Sequence, residues 1–204
     1  MPIRRRAVPR WALSLAVLQA VSVFAAPAFA QGSVFTLDPA QTEIHFTLDT
    51  TLHTVHGTFK LKSGAIRFDL ASGKASGAII VDATSGDSSS SGRDKKMHKE
   101  ILESPTFSEI VFTPTGVQGA IAPEGASQVA VAGVMKLHGQ DHEVTLHFAV
   151  QPGAAGRVQA TTHFSVPYVK WGLKNPSSFI LHADDTVDID IQANGQITPV
   201  LTSH

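Results

Sequence analysis

A chain of 204 residues with a formal net charge of −1, ten histidines and no cysteine has material for one packed domain with a real core. Its composition excludes thiol catalysis, thiolate metal centres and disulfide bracing. Acids and bases are interspersed, so there is neither a basic stripe for nucleic acid nor a polybasic patch for anionic lipid.

Residues 1–30 carry the three parts of a secretory signal. Arg4, Arg5, Arg6 and Arg10 form a basic start. Trp11 to Ala25 form an apolar run too short to span a bilayer core of roughly 30 Å comfortably. Ala28-Phe29-Ala30 supplies the small residues of a cleavage site. The expected cut precedes Gln31 and leaves 31–204 as a single exported domain, placed in the periplasm, with no integral membrane segment.

Alternation with a period of two then recurs along the chain, the pattern of strands with one buried face. Ile44, Phe46 and Leu48 alternate with Glu43, His45, Thr47 and Asp49. Val55, Phe59 and Leu61 predict a second strand, ending in a turn at Lys62-Ser63-Gly64. Ile66 and Phe68 follow, and Asp69 to Gly73 reads as another turn. Lys74 to Asp82 sets Ala75, Gly77, Ile79 and Val81 on one face and Ile80 on the other.

Ser88 to Gly92 reads as a polar, flexible run leading into a helix over Arg93 to Glu103, where Met97, Ile101 and Leu102 recur at helical spacing. Pro105 stops it. Such a helix either packs on one end of the fold or acts as a lid over a cavity.

Later strands carry Ile110 and Phe112; Val129, Val131, Gly133 and Met135; Val144, Leu146, Phe148 and Val150; Val158, Ala160, Thr162 and Phe164; and Val187, Ile189 and Ile191. Before the last of these, Pro167 to Ala183 forms a loop holding Tyr168, Trp171, Leu173 and Phe179 with Lys170 and Lys174. These rings either cap the core or form the mouth of a pocket, with a lysine at the rim to meet a polar headgroup. Asp184 and Asp185 read as a turn into the last strand.

Eight or nine strands with almost no helix predict an all-β fold, either a sandwich or a closed antiparallel barrel. The barrel is preferred because closure leaves no free edges, and eight strands enclose side chains or one small ligand.

The residues also carry a resemblance. Phe35-Thr36-Leu37-Asp38-Pro39, Val55-His56-Gly57-Thr58-Phe59, Gly64-Ala65-Ile66-Arg67-Phe68-Asp69 and the Arg93-Asp94 to His98 stretch fall in a recognisable order. Phe107 to Phe112, the Leu137-His138-Gly139 hairpin and Val187 to Ile191 continue it. In this order and spacing the chain resembles the YceI-like family of exported lipid-binding proteins. The resemblance implies an eight-stranded lipocalin-like barrel around an apolar tunnel, holding a polyisoprenoid or a similar amphiphile such as a quinone. It departs at Val166 to Lys174, where many relatives have an Asn-Arg-x-Asp-Phe-Gly run.

Inward positions on such strands are Phe46, Leu48, Phe59, Phe68, Ile79, Phe112, Met135, Phe148 and Phe164, with Tyr168 and Trp171 at the loop. The same residues could instead fill a dry core. The only partner expected is an apolar small molecule or lipid, bound without covalent attachment and with no further cofactor; a homodimer is allowed.

The histidines suggest another class of function, because imidazole is the commonest metal ligand. His53 with His56, and His138 with His142, lie close in sequence, while His147 and His163 are expected to face outward. No acid is firmly placed beside either pair, so no metal ligand is assigned. A Gly-x-Ser-x-Gly elbow, a His-Glu-x-x-His helix and a phosphate-cradling glycine loop are all missing, so no catalytic residue is assigned and no enzyme is expected.

Overall fold

The alternating segments become nine strands in a computed structural model that describes residues 32–200. The first two are β1 (Ser33–Leu37) and β2 (Glu43–Leu48), followed by β3 (Val55–Asp69) and β4 (Lys74–Asp87). A helix, α1 (Ser91–Lys96), runs into a π-helical turn over Met97–Ile101. The rest are β5 (Glu109–Gly119), β6 (Ser127–Leu137), β7 (Gln140–Pro152), β8 (Arg157–Val166) and β9 (Val187–Pro199).

These nine strands occupy eight positions. β1 and β2 both pair with β3 on one side and β9 on the other, so together they form one interrupted stave. The interruption is local chemistry. Pro39 has no N–H for a ladder, and the Asp38 carboxylate accepts from Ala40 N (2.9 Å), folding the chain into a tight turn. Every other neighbour is a meander partner, all pairings are antiparallel, and β9 closes on the first stave. The result is a closed eight-position antiparallel barrel with one short helix.

Three details differ from the sequence expectation. Lys62-Ser63-Gly64 is no turn: β3 runs straight through it, paired with β4 on both sides, and only the register slips between Leu61 and Ser63. Small polar residues suit a bulge as well as a turn, and the ladder to β4 decides which forms. Ser88 is not part of a flexible linker either. It is buried, and it holds the start of α1 in place. The helical segment starts and ends two residues before the expected Arg93 to Glu103, running from Ser91 to Ile101.

Connections alternate between the two ends of the barrel. One end carries 70–73, 120–126 and 153–156, all short. The other carries 49–54, 88–108, 138–139 and 167–186, two of them long enough to fold over the opening. The shortest, His138-Gly139, has φ of 51° and 76°, the left-handed pair that joins strands in a two-residue hairpin.

Candidate ligand cavity

Inside the barrel lies a cavity of about 430 Å³. That is within the range of roughly 300–1,000 Å³ typical of small-molecule sites. Its walls come from the inward face of the staves, and nine of the eleven residues singled out in the sequence lie on it: Phe46, Leu48, Phe59, Ile79, Phe112, Met135, Phe148, Phe164 and Tyr168.

Two do not. Phe68 lies at the opposite end, on a smaller space of about 80 Å³. Leu37, Ile79, Phe148 and Ala193 border both spaces and form the partition between them. Trp171 turns away from the cavity and stacks flat on His142, with ring centroids 4.0 Å apart and planes at 4°.

Glycines seat two of the aromatic rings. Gly57 is the cross-strand partner of Phe46, and a Cβ there would stand 2.3 Å from the Phe46 ring. On β6, a Cβ at Gly133 would stand 2.7 Å from the Phe112 ring. With hydrogen in place of a methyl, each ring lies against backbone and leaves the centre of the barrel open.

The mouth is built from the long connections. Met97, Ile101 and Leu102 line it from the helical segment, the three positions whose spacing marked an apolar face. The π turn, closed by Leu102 N donating to Met97 O (2.9 Å), is of a kind that often occurs at functional sites. His98 anchors this turn to β4: its Nε2 donates to Gly86 O (2.9 Å), leaving Nδ1 to accept from the Ser104 hydroxyl (3.0 Å).

Polar groups on the cavity cluster at this mouth. Arg93 donates from Nε to Ser88 Oγ (2.9 Å) and from a terminal nitrogen to Ser88 O (2.9 Å), and its other terminal nitrogen lies 3.5 Å from His53 Nε2. Lys96 Nζ donates to Pro176 O (2.8 Å), tying helix to loop. Asp94 accepts from the Ser88 N–H (2.8 Å) and hydroxyl. Burial pushes its carboxyl up, but the Ser88 bonds and nearby positive charge outweigh that and hold it below its ordinary value. Tyr168 donates to Asp184 O (2.6 Å), and burial, with Asp185 and Asp184 adding to it, pushes its hydroxyl up to about 12.

The cations at the mouth are not those the aromatic loop suggested. Lys174 faces Glu103 (3.8 Å), and neither it nor Lys170 borders the cavity. Arg93, Lys96 and His53 do. A signal for Arg93 is present in the sequence, since it stands four residues before Met97 and eight before Ile101 and so shares their helical face.

A family model for the YceI-like domain matches residues 35–194. The chain belongs to this family. Among solved structures, a polyisoprenoid-binding domain from Saccharophagus degradans implicated in plant cell wall breakdown is 16% identical. That match covers 80% of this chain and 98% of the other, with a TM-score of 0.60. BcnA of Burkholderia cenocepacia is 16% identical over 78% of this chain and 98% of its own, with a TM-score of 0.62. A YCEI protein from Campylobacter jejuni is 15% identical over 69% and 81%, with a TM-score of 0.51. No curated protein matches the chain.

In this YceI-like barrel the histidine pairs are separated. His53 faces the cavity mouth, while His56 is exposed and hydrogen-bonded to Thr47 (3.1 Å). His138 packs on Phe107 and lies 3.6 Å from Glu103, whereas His142 lies on Trp171. Among the described residues no three His, Asp or Glu side chains converge to hold a metal.

The secretory signal lies outside the described residues. Among those described, no helix is long and apolar enough to cross a membrane.

Proposed function

We propose that this protein is an exported, periplasmic carrier rather than an enzyme. It holds the tail of an isoprenoid-type lipid or quinone in the barrel and the headgroup at Arg93, Lys96 and His53. The observation that carries the reading is the distribution of chemistry on one cavity: its depths are aliphatic and aromatic, and its cationic groups stand only at the mouth. Apolar burial contributes roughly 25 cal/mol per Å², enough to retain a tail without polar contacts deep inside. Cationic N–H donors at the mouth suit an acceptor-rich or anionic headgroup. The polyisoprenoid-binding neighbour of the same fold supports this choice of cargo.

Reconstitution tests it. Titration of delipidated protein with a long-chain quinone and with a polyprenyl phosphate, read by native mass spectrometry, is expected to saturate at one ligand per chain. Changing Arg93 and Lys96 together to Gln should weaken the phosphate more than the quinone. Absence of saturable uptake of either compound would refute the reading.

A further inference from the structure

Among the described residues, the large hydrophobic side chains left exposed are Leu52, Phe179 and Ile180, at 65%, 100% and 76%. They are not scattered. Leu52 belongs to the 49–54 connection, Phe179 and Ile180 to 167–186, and backbone bonds tie the two together. Thr51 N donates to His182 O (2.9 Å), Asp184 N donates to Asp49 O (2.9 Å), and Thr50 bridges Ala183. The turn that presents Phe179 and Ile180 is held by Ser178 N donating to Leu181 O (2.7 Å). Its two central positions normally carry Gly, Asn, Asp, Pro or Ser. Here they carry a phenylalanine fully in water and an isoleucine nearly so, and neither packs into the core.

We infer that Leu52, Phe179 and Ile180 form a membrane-docking rim, which seats the cavity mouth on a bilayer surface by inserting three apolar side chains among the lipid headgroups. Thr50, His53, Pro176, Leu181 and Ala183 of the same two connections line the cavity, so the rim is continuous with the interior. A tail passing between bilayer and barrel over this rim would stay in apolar surroundings.

Charge around the rim is balanced: the four connections of this end hold six basic side chains and six acidic ones. Of the carboxylates there, Glu103 faces His138 and Lys174, while Asp49, Glu100, Asp184 and Asp185 are exposed. Lys95, Lys99, Lys170 and Lys174 among the basic ones are exposed, so groups of both signs can meet the zwitterionic headgroups of a bilayer surface. The choice of a lipid surface as partner rests on the carrier reading, but its test does not.

The test uses protein expressed from the full-length sequence and purified from a periplasmic extract, with vesicles of phosphatidylethanolamine and phosphatidylglycerol. Wild-type protein is expected to float with the vesicles. The combined change Leu52→Ser, Phe179→Ser and Ile180→Ser is expected to weaken that binding by about tenfold or more, with no change in melting temperature. Phe179→Trp should keep the binding and shift its emission to shorter wavelength when vesicles are added.

Vesicle binding absent in the wild type, or unaffected by the triple change, overturns the inference. So does a wild-type dimer that the triple change dissolves without any effect on vesicles, which would make the patch a contact between two copies. If vesicle binding depends on the three side chains but no lipid is ever found inside, the rim stands and the carrier reading falls.

Discussion

The two ends of this barrel are made from the same alternating sequence yet contain different things. At the end closed by 70–73, 120–126 and 153–156, Phe35, Phe68, Val117, Val150 and Ile197 leave only about 80 Å³ between them. At the other end the same kind of inward-facing residues surround about 430 Å³. Hydrophobicity does not separate the two. Nor do glycines, since Phe35 lies against Gly195 at the packed end as Phe46 lies against Gly57 at the open one. The open end differs in its long connections, which build a mouth instead of a plug. Whether a closed sheet is a core or a container depends here on how its loops are used.

The largest expected effect comes from breaking the partition. Phe148→Asp places an unpaired carboxylate between the two spaces, at a penalty of several kcal/mol. Lipid retention should be abolished, as read by native mass spectrometry on protein whose fold is checked by circular dichroism. Retention by a folded variant would remove Phe148 from the proposed binding wall.

Next, Phe68→Ala at the packed end is expected to destabilise by about 3 kcal/mol in denaturant unfolding while leaving ligand uptake intact. Phe59→Ala at the open end should cost less and alter uptake more, since it enlarges a space already present. Equal stability losses with equal uptake would dissolve the distinction between the ends.

Gly57→Ala sharpens it further. A methyl there meets the Phe46 ring and, at 2.5 Å, Asp87 O, so the ring must move into the cavity. A loss of about 1–3 kcal/mol is expected, together with weaker uptake of the bulkier ligands.

Smaller effects belong to the mouth itself. Asp94→Asn removes a charged acceptor from Ser88 and should lower the melting temperature by the equivalent of about 1–2 kcal/mol near neutral pH. Because the folded carboxyl titrates below its ordinary value of 3.8, the stability it gives is present above that value and lost as pH falls through the lower folded one. The gap between wild type and variant should therefore close in acid.

Tyr168→Phe removes the bond to Asp184 O, a loss of about 1 kcal/mol. Here the sign reverses. The folded hydroxyl ionises near 12 instead of 10.0, so its contribution is complete below pH 10 and falls away between 10 and about 12. Melting curves across that range should converge on those of the variant.

The wall of the barrel was legible in the sequence because pleated strands impose a period of two on any sheet with one buried face. Positions such as Phe46, Phe112 and Phe148 followed from that alone. Three features were not legible, each for a tertiary reason. Lys62-Ser63-Gly64 has turn composition, but its partners on β4 keep it extended with a bulge. Trp171 sits in an aromatic loop, yet the inward-facing His142 ring takes its face and keeps it off the cavity. Arg93 shares the helical face of Met97 and Ile101, but that this face meets the mouth depends on Ser88 and His98, which hold the segment beside β4 through contacts that only the fold brings together. Size was equally hidden, since a filled barrel and a hollow one show the same alternation.

The most direct test of the carrier account is the content of the barrel as the cell fills it. Protein purified from its own periplasm without detergent would be weighed by native mass spectrometry, then extracted with organic solvent and the extract identified. The account predicts one isoprenoid-type lipid or quinone per chain. An empty barrel that stays empty when offered such lipids would contradict it.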